Sequence, residues 1–305
     1  MTLKSIRILF RALTFIILAA ALGFCTLLLA SCGTSKPPLT DGNRTGETSG
    51  TDTDTDTDTG EAPGTDESLI TAKDSETCET PPDTILRVGS YNIKNGSQVN
   101  HNFKLIADDI IEMNLDIVGL QEVDQLTNRN GRIDTMKNLG QFTGYYYKFA
   151  KAISYKGGEY GVGILSRYPI ESFEIIRLYS GGKEQRVLSH AVININGFQV
   201  DFFNTHLSYE SRNIRDEQFK AVARKLADYQ YFILTGDFNT SDTAEFTVIA
   251  KSFLVNPKKY VTFPGGKSHI DNIVLSENWA VIDSGTLEKG HSDHSMLWAE
   301  IKLQK

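Results

Sequence analysis

The texture of the chain changes near residue 85. From there, short apolar runs alternate with segments of helical periodicity, which is the pattern of strands interleaved with amphipathic helices. Ile85 to Asn92 reads as a strand, and Phe103, Ile106, Ile110 and Met113 recur at the spacing of one helix face. Asp116 to Glu122 reads as a buried strand, and Gly161 to Ser166 as another, closed by a turn at Tyr168-Pro169. Leu188 to Ile195 and Phe198 to His206 flank Asn196-Gly197, a dipeptide that suits the left-handed positions of a two-residue hairpin. A helix is expected over Asn213 to Asp228, followed by strands at Tyr231 to Thr235, Ile270 to Leu275 and Met296 to Leu303. Hairpins mixed with strand-helix-strand units point to an α+β fold in four layers, with mainly antiparallel sheets and helices packed outside.

The residues before 85 carry different signals. Lys4, Arg7 and Arg11 precede an almost unbroken apolar stretch from Ala12 to Ala30, the order of a secretory signal. Leu29-Ala30-Ser31-Cys32 resembles a bacterial lipobox, which implies cleavage before Cys32 and a diacylglycerol on its thiol. Two acyl chains give durable anchoring where one does not. An uncleaved transmembrane helix is the competing reading, because the run approaches the ~20 residues a bilayer requires. Either way the remainder of the chain is expected outside the cytoplasm, as a membrane-anchored lipoprotein on the outer side of the cytoplasmic membrane or in the cell envelope.

Residues 32–84 are rich in Thr, Asp, Gly, Glu and Pro, including the alternating Thr-Asp run from Thr51 to Thr59. Such a composition buries too little apolar surface to offset its ordering entropy and reads as a solvated spacer. The spacing of its carboxylates lacks the glycine and bidentate glutamate of a Ca²⁺ loop. The domains expected are therefore a signal over 1–31 ending at Cys32, a linker over 32–84 and one catalytic domain over 85–305.

Charge follows the same division. The net −7 of the chain resides in the linker, while residues 85–305 hold 25 basic against 25 acidic side chains. A balanced domain exerts no global pull on a polyanion, although a local basic groove is compatible with it. Cys25, Cys32 and Cys78 all precede the folded region, so no disulfide framework is available there.

The candidate chemistry sits where apolar strands end. Ser90-Tyr91-Asn92, Leu120-Gln121-Glu122, Asn204-Thr205-His206 and Asp237-Phe238-Asn239 each terminate such a run, and the tail adds His269-Ile270-Asp271 and Ser292-Asp293-His294. A strand end is a rigid mount, so groups from several strands can converge. Carboxylates, amides and imidazoles without thiols suit Mg²⁺ or Mn²⁺. A Zn²⁺ site would need clustered histidines, whereas the six here are scattered along the chain. Singly each motif is weak: an Asp-x-Asn after a strand is commonly a turn or a helix cap.

Their order is stronger. Ser90-Tyr91-Asn92-Ile93, Leu120-Gln121-Glu122-Val123, Gly163-Ile164-Leu165-Ser166-Arg167, Thr205-His206-Leu207, Gly236-Asp237-Phe238-Asn239 and Ser292-Asp293-His294-Ser295 together resemble the motif series of the endonuclease/exonuclease/phosphatase superfamily, over residues 85–303. The resemblance implies a DNase I-like αββα sandwich and hydrolysis of phosphoesters with Mg²⁺ or Mn²⁺. Glu122, Asn92 and Asp293 would hold the metal. His294 would be general base or hydrogen-bond donor, oriented by Asp271. Asp237 and Asn239 would position water or the leaving oxygen, His206 would contact phosphate or protonate the leaving group, and Arg186 would bind phosphate. Asn272 stands where relatives often carry an aromatic residue, which leaves that pocket wall open.

The substrate stays open among nucleic acid, a phospholipid head group and a small sugar or inositol phosphate, with a phosphodiester expected first and a monomeric protein acting on it. Lys94, Lys148, Lys151, Lys156, Arg212 and Arg215, with Tyr145, Tyr146, Tyr147, Tyr155 and Tyr160, could line a nucleic-acid groove. The same tyrosines suit sheet-edge packing equally. A catalytically inactive ligand-binding module on the same fold is the alternative of a different class, and it would be expected to have lost a metal or base residue.

Overall fold

The computed structural model describes residues 84–304. The expected signal, Cys32 and the linker lie outside the described residues. Among the described residues, no helix is long and apolar enough to cross a membrane.

Twelve strands are described: β1 Ile85–Asn92, β2 Ile117–Gln125, β3 Tyr146–Tyr155, β4 Gly158–Ser166, β5 Ile170–Arg177 and β6 Val187–Ile195, then β7 Phe198–His206, β8 Phe232–Asp237, β9 Ser252–Leu254, β10 Asp271–Ser276, β11 Trp279–Leu287 and β12 Met296–Leu303. Three α-helices accompany them: α1 Phe103–Glu112, α2 Thr135–Thr143 and α3 Arg212–Leu226. The strands form two six-stranded sheets, ordered β11-β12-β1-β2-β4-β3 and β5-β6-β7-β8-β10-β9. Each sheet has one parallel pair, β1 with β2 and β7 with β8, and is otherwise antiparallel. α1 and α3 are the crossovers that parallel pairing requires.

Alternation along the strands makes the layers. Leu86 and Val88 of β1, Phe202 of β7, Ile233 of β8 and Ile273 of β10 meet in the core between the sheets. Val118 and Leu120 of β2 point outward onto Phe103, Ile106 and Ile110 of α1 and Leu139 of α2. Phe203 and Leu234 point outward onto Phe219 and Val222 of α3. Burying both faces of both sheets gives the four-layer αββα sandwich, and the Asn196-Gly197 hairpin forms as expected, both residues taking positive φ.

The tyrosine-rich stretch is strand rather than loop. Tyr146, Tyr147 and Tyr155 belong to β3, an edge strand, and Tyr160 belongs to β4. Tyr145 packs against the α1 core and donates to the Leu115 carbonyl at 2.6 Å, and Tyr147 covers Gly140 of α2.

Both parallel pairs end at the same edge of the sandwich, as β2 crosses against β7 and β1 against β8. Thr84 precedes β1 and therefore lies at the opposite end, about 26 Å away by strand rise. That end also holds a cavity of about 510 Å³ between Leu226, Tyr229, Phe232 and Asn278.

Candidate active site

Beneath the site a polar bridge joins the sheets. Asn204 of β7 donates to the Leu120 and Gly163 carbonyls, each at 2.9 Å, and accepts from Gln121 Nε2 at 2.7 Å and Thr235 Oγ1 at 3.1 Å. Gly119 leaves the room for it, since a Cβ there would lie 2.0 Å from Thr235 Oγ1 and 2.6 Å from Asn204 Oδ1. A buried, fully used amide fixes the register of the two sheets and hence the spacing of the groups above it.

Above the bridge, the strand ends converge. In β2 the residues Gln121 and Glu122 oppose a single partner position on β4, a bulge in which Glu122 takes φ +56°. Glu122 is thereby turned toward Asn92 at the end of β1, whose Nδ2 donates to Glu122 Oε1 at 3.1 Å and to Asp237 Oδ2 at 3.0 Å. Asn239, two residues past Asp237, takes φ +52°, donates its own N–H to Asp237 Oδ1 and its side chain to the Leu207 carbonyl. Left-handed backbone at Glu122 and Asn239 is local strain of the kind that clusters at working sites.

Asp271 starts β10 directly opposite Asp237 in the ladder. Its Oδ2 lies 2.8 Å from His294 Nδ1, and His294 Nε2 lies 3.7 Å from Asp237 Oδ2. The loop carrying His294 is held by Ser292, which donates to the Asn92 carbonyl at 2.7 Å, and by His291, whose Nδ1 lies 2.9 Å from buried Asp109 of α1. His206 ends β7 with Nε2 3.6 Å from Asp237 Oδ2, while its buried Nδ1 has no partner. Arg186, just before β6, is 4% exposed, pairs with Glu184 at 3.2 Å and leaves its buried Nε unpartnered. Asp293 faces the same cleft, paired at 2.8 Å with Lys94. Thus all nine residues expected at the site stand around one cleft of about 350 Å³, Asn92 and Asp271 in its wall.

Electrostatics divides these groups. Burial and the charge of Asp271 push the Asp237 carboxyl up to about 7, despite the hydrogen bond from Asn92. Burial works against the His294 imidazolium, but Asp271, then Asp237 and Asp293, outweigh it and raise the ring to about 9. Burial, Arg186 and His294 hold His206 well below its ordinary value, so its imidazole is neutral. Burial raises Glu122, and Asp293 adds to that against the pull of Asn92 and His294.

The donor set fits a hard divalent cation. Glu122, Asp237, Asp271 and Asp293 crowd one cleft, Asp271 Oδ1 is buried without a partner, and there is no thiol among the described residues. Ligand atoms of Asp237, Asp271 and His294 also lie within 4.8 Å of one another. Their arrangement is that of a hydrogen-bonded pair beside a carboxylate, because His294 Nδ1 and Asp271 Oδ2 already engage each other. Glu122 and Asp293 offer the more accessible oxygens. Asn92 Oδ1 accepts from the Lys94 N–H at 3.0 Å, and its Nδ2 donates to Glu122 and Asp237, so it orients the Glu122 carboxylate.

Sequence reasoning missed part of the rim. Glu184, Tyr209 and Phe263 line the cleft, and Arg129, bound to buried Asp124, closes a side cavity of about 100 Å³ with Tyr155 and Tyr160. Glu184 and Tyr209 sit in irregular segments without periodicity. The only hint of Glu184 was its place two residues before Arg186.

A sandwich of this topology, with carboxylates, imidazoles and a buried arginine at one sheet edge, defines a phosphoester-hydrolase architecture. Residues 89–294 match the model of the Endonuclease/Exonuclease/phosphatase family, and the chain belongs to that family. Solved structures share the fold. The endonuclease/exonuclease/phosphatase from Beutenbergia cavernae is 18% identical, with a TM-score of 0.61 and 72% of each chain covered. A mannosyl-6-phosphatase from Bacteroides thetaiotaomicron is 21% identical, with a TM-score of 0.56, covering 71% of this chain and 99% of that one. D. rerio TDP2, complexed with single-strand DNA product, is 17% identical, with a TM-score of 0.58, covering 72% and 99%. No curated protein matches the sequence.

Proposed function

We propose that this chain is a Mg²⁺-dependent phosphoester hydrolase, exported and anchored to the membrane through a lipid on Cys32, and that its substrate is a phosphodiester. The observation that carries the reading is the buried His294–Asp271 pair facing Asp237, with Arg186 and His206 across the same cleft. The whole set is present, which favours an enzyme over an inactive binding module on the same fold.

Asp237, poised near neutrality, takes the proton of the attacking water as its oxygen bonds to phosphorus, and Asn239 and Asn92 hold that carboxylate. The His294 imidazolium and the Arg186 guanidinium complement the negative charge that grows on the phosphoryl oxygens. Neutral His206 is suited to donate an N–H hydrogen bond to phosphate and, uncharged, is too weak an acid to protonate a leaving group. The P–O bond to the leaving group breaks, and the released oxygen takes a proton from solvent. A divalent ion held by Glu122 and Asp293 would supply Lewis-acid stabilisation of the phosphoryl and leaving oxygens.

The charges around the cleft favour a small or head-group ester over a long polyanion. Four of the six cations expected for a nucleic-acid groove, Lys94, Lys151, Arg212 and Arg215, are paired with Asp293, Glu159, Asp242 and Glu245 respectively, which leaves Lys148 and Lys156 for a polyanion. The cleft opens at the end remote from Thr84, where the proposed tether enters.

The test is hydrolysis of a phosphodiester, a phosphomonoester, plasmid DNA and phospholipid by the purified chain, with Mg²⁺ or EDTA, beside Glu122→Gln. Turnover that requires the metal, together with weakened Mn²⁺ binding by Glu122→Gln in calorimetry, supports the reading. Metal-independent turnover, or none, contradicts it. Cys32→Ser should move the protein from the membrane to the soluble fraction, and retention in the membrane would favour an uncleaved helix.

A further inference from the structure

Among the described residues, Arg186 is the one guanidinium lining the catalytic cleft, and two carboxylates that the hydrolysis does not use act on it, Glu184 by direct contact and Glu210 through its charge. Glu184 Oε1 lies 3.2 Å from Arg186 Nη2 and faces both the main cleft and the side cavity next to Glu122. Glu210 accepts from the Ser208 hydroxyl, which in turn accepts from the Glu210 N–H at 3.2 Å. Burial pushes Glu210 up, yet that hydroxyl, backbone N–H groups including that of Glu184, and the charge of Arg186 bring it below its ordinary value. The phosphate-facing cation is therefore largely compensated before any substrate arrives.

Compensation of this kind is wasteful for binding anions in general and useful for choosing between them. A phosphomonoester bears a second ionisation near pH 6, whereas a diester stays a monoanion. Every added negative charge on a phosphoryl group held by Arg186 is repelled by Glu184, whose carboxylate lies 3.2 Å from the same guanidinium.

We propose that Glu184, backed by Glu210, is a specificity-determining residue that makes this site favour monoanionic phosphodiesters and reject dianionic phosphomonoesters. The inference rests on the phosphoester-hydrolase reading above and commits it to one class of ester. Glu184 is a positioning and selecting group, and takes no part in bond making. An alternative role, that of merely orienting Arg186, would affect both ester types alike.

The experiment compares methyl phenyl phosphate with phenyl phosphate, which share a leaving group and of which the monoester has an ordinary second ionisation, on the full-length chain with Mg²⁺ from pH 5.0 to 8.5. Glu122, Tyr160 and Arg129 line the side cavity with Glu184; Tyr160 and His206 line the main cleft; and Glu210 feels the charge of Arg186. Their titrations are common to wild type and Glu184→Gln, so the effect of Glu184 is read as the difference between the two proteins in the ratio of kcat/KM values. The wild-type ratio of diester to monoester should rise through the monoester ionisation near pH 6. Glu184→Gln keeps an acceptor for Arg186 and removes the charge. It should raise monoester kcat/KM about tenfold at pH 8, flatten the ratio against pH, and move the diester far less. Glu184→Asp should keep the wild-type selectivity. A flat wild-type ratio, or equal changes for both esters in Glu184→Gln, would overturn the proposal while leaving the hydrolase intact. Absence of turnover of either ester by wild type would instead overturn the hydrolase reading, and this inference with it.

Discussion

His294 Nδ1 and Asp271 Oδ2 lie 2.8 Å apart in a pair that is almost wholly buried, and this one contact sets which ring nitrogen faces the cleft. With Nδ1 engaged, Nε2 is left to face Asp237 at 3.7 Å. Asp271→Asn keeps the shape and removes the charge that raises the ring. It should lower kcat by about 100-fold or more with KM changed only a few-fold, since the lost interaction grows in the transition state. The His294 ring should fall from about 9, because burial is then opposed by less charge. Steady-state kinetics with an NMR titration of the imidazole checks both halves.

Asp237 should make the fold less stable as pH rises. Its carboxyl is raised to about 7 in the folded chain from an ordinary 3.8, so the native state holds a proton that the unfolded chain releases. Stability from this group is full below the unfolded value and is lost as pH climbs through the folded one. In EDTA, Asp237→Asn should therefore be more stable than wild type at pH 8, by on the order of 1–3 kcal/mol, with no advantage near pH 3. Urea denaturation at the two pH values decides this, and equal stability at pH 8 would remove the strained-carboxylate account.

The polar bridge predicts a different failure. Gly119→Ala places a Cβ against Thr235 and Asn204 of the facing sheet. The cost should be about 1–3 kcal/mol of overpacking, with activity falling as well because Gln121 and Glu122 follow on the same strand. Thermal unfolding and kinetics of the one variant check both, and an unchanged Tm would show that the sheets can separate freely there.

Much of the fold was legible because the central strands are buried on both faces. β1, β2, β4, β6, β7, β8, β10 and β12 all read as apolar runs. The four strands that were not read, β3, β5, β9 and β11, are the four edges of the two sheets. Edge strands carry polar residues on exposed faces, as in Tyr146–Tyr155 and Ile170–Arg177, and so lose the apolar run that marks a strand. Helix α2 was missed for a similar reason, since Thr135, Met136, Leu139 and Gly140 are its only buried positions.

At the site, residues fixed to strand ends were readable by position, while their orientation was not. Nothing in Leu120-Gln121-Glu122-Val123 announces the bulge that turns Glu122 into the cleft, because a left-handed glutamate is imposed by the sheet around it. Likewise the pairing of Lys94, Arg212 and Arg215 with carboxylates distant in sequence became visible only in the fold. That pairing is what shifts the substrate reading from nucleic acid toward small esters.

The proposed hydrolysis is metal-assisted and runs through His294 and its neighbours. Turnover of methyl p-nitrophenyl phosphate by the full-length chain should require Mg²⁺, stop with EDTA, and fall by about 100-fold or more in His294→Ala. Equal rates for wild type and His294→Ala, or full activity in EDTA, would contradict it.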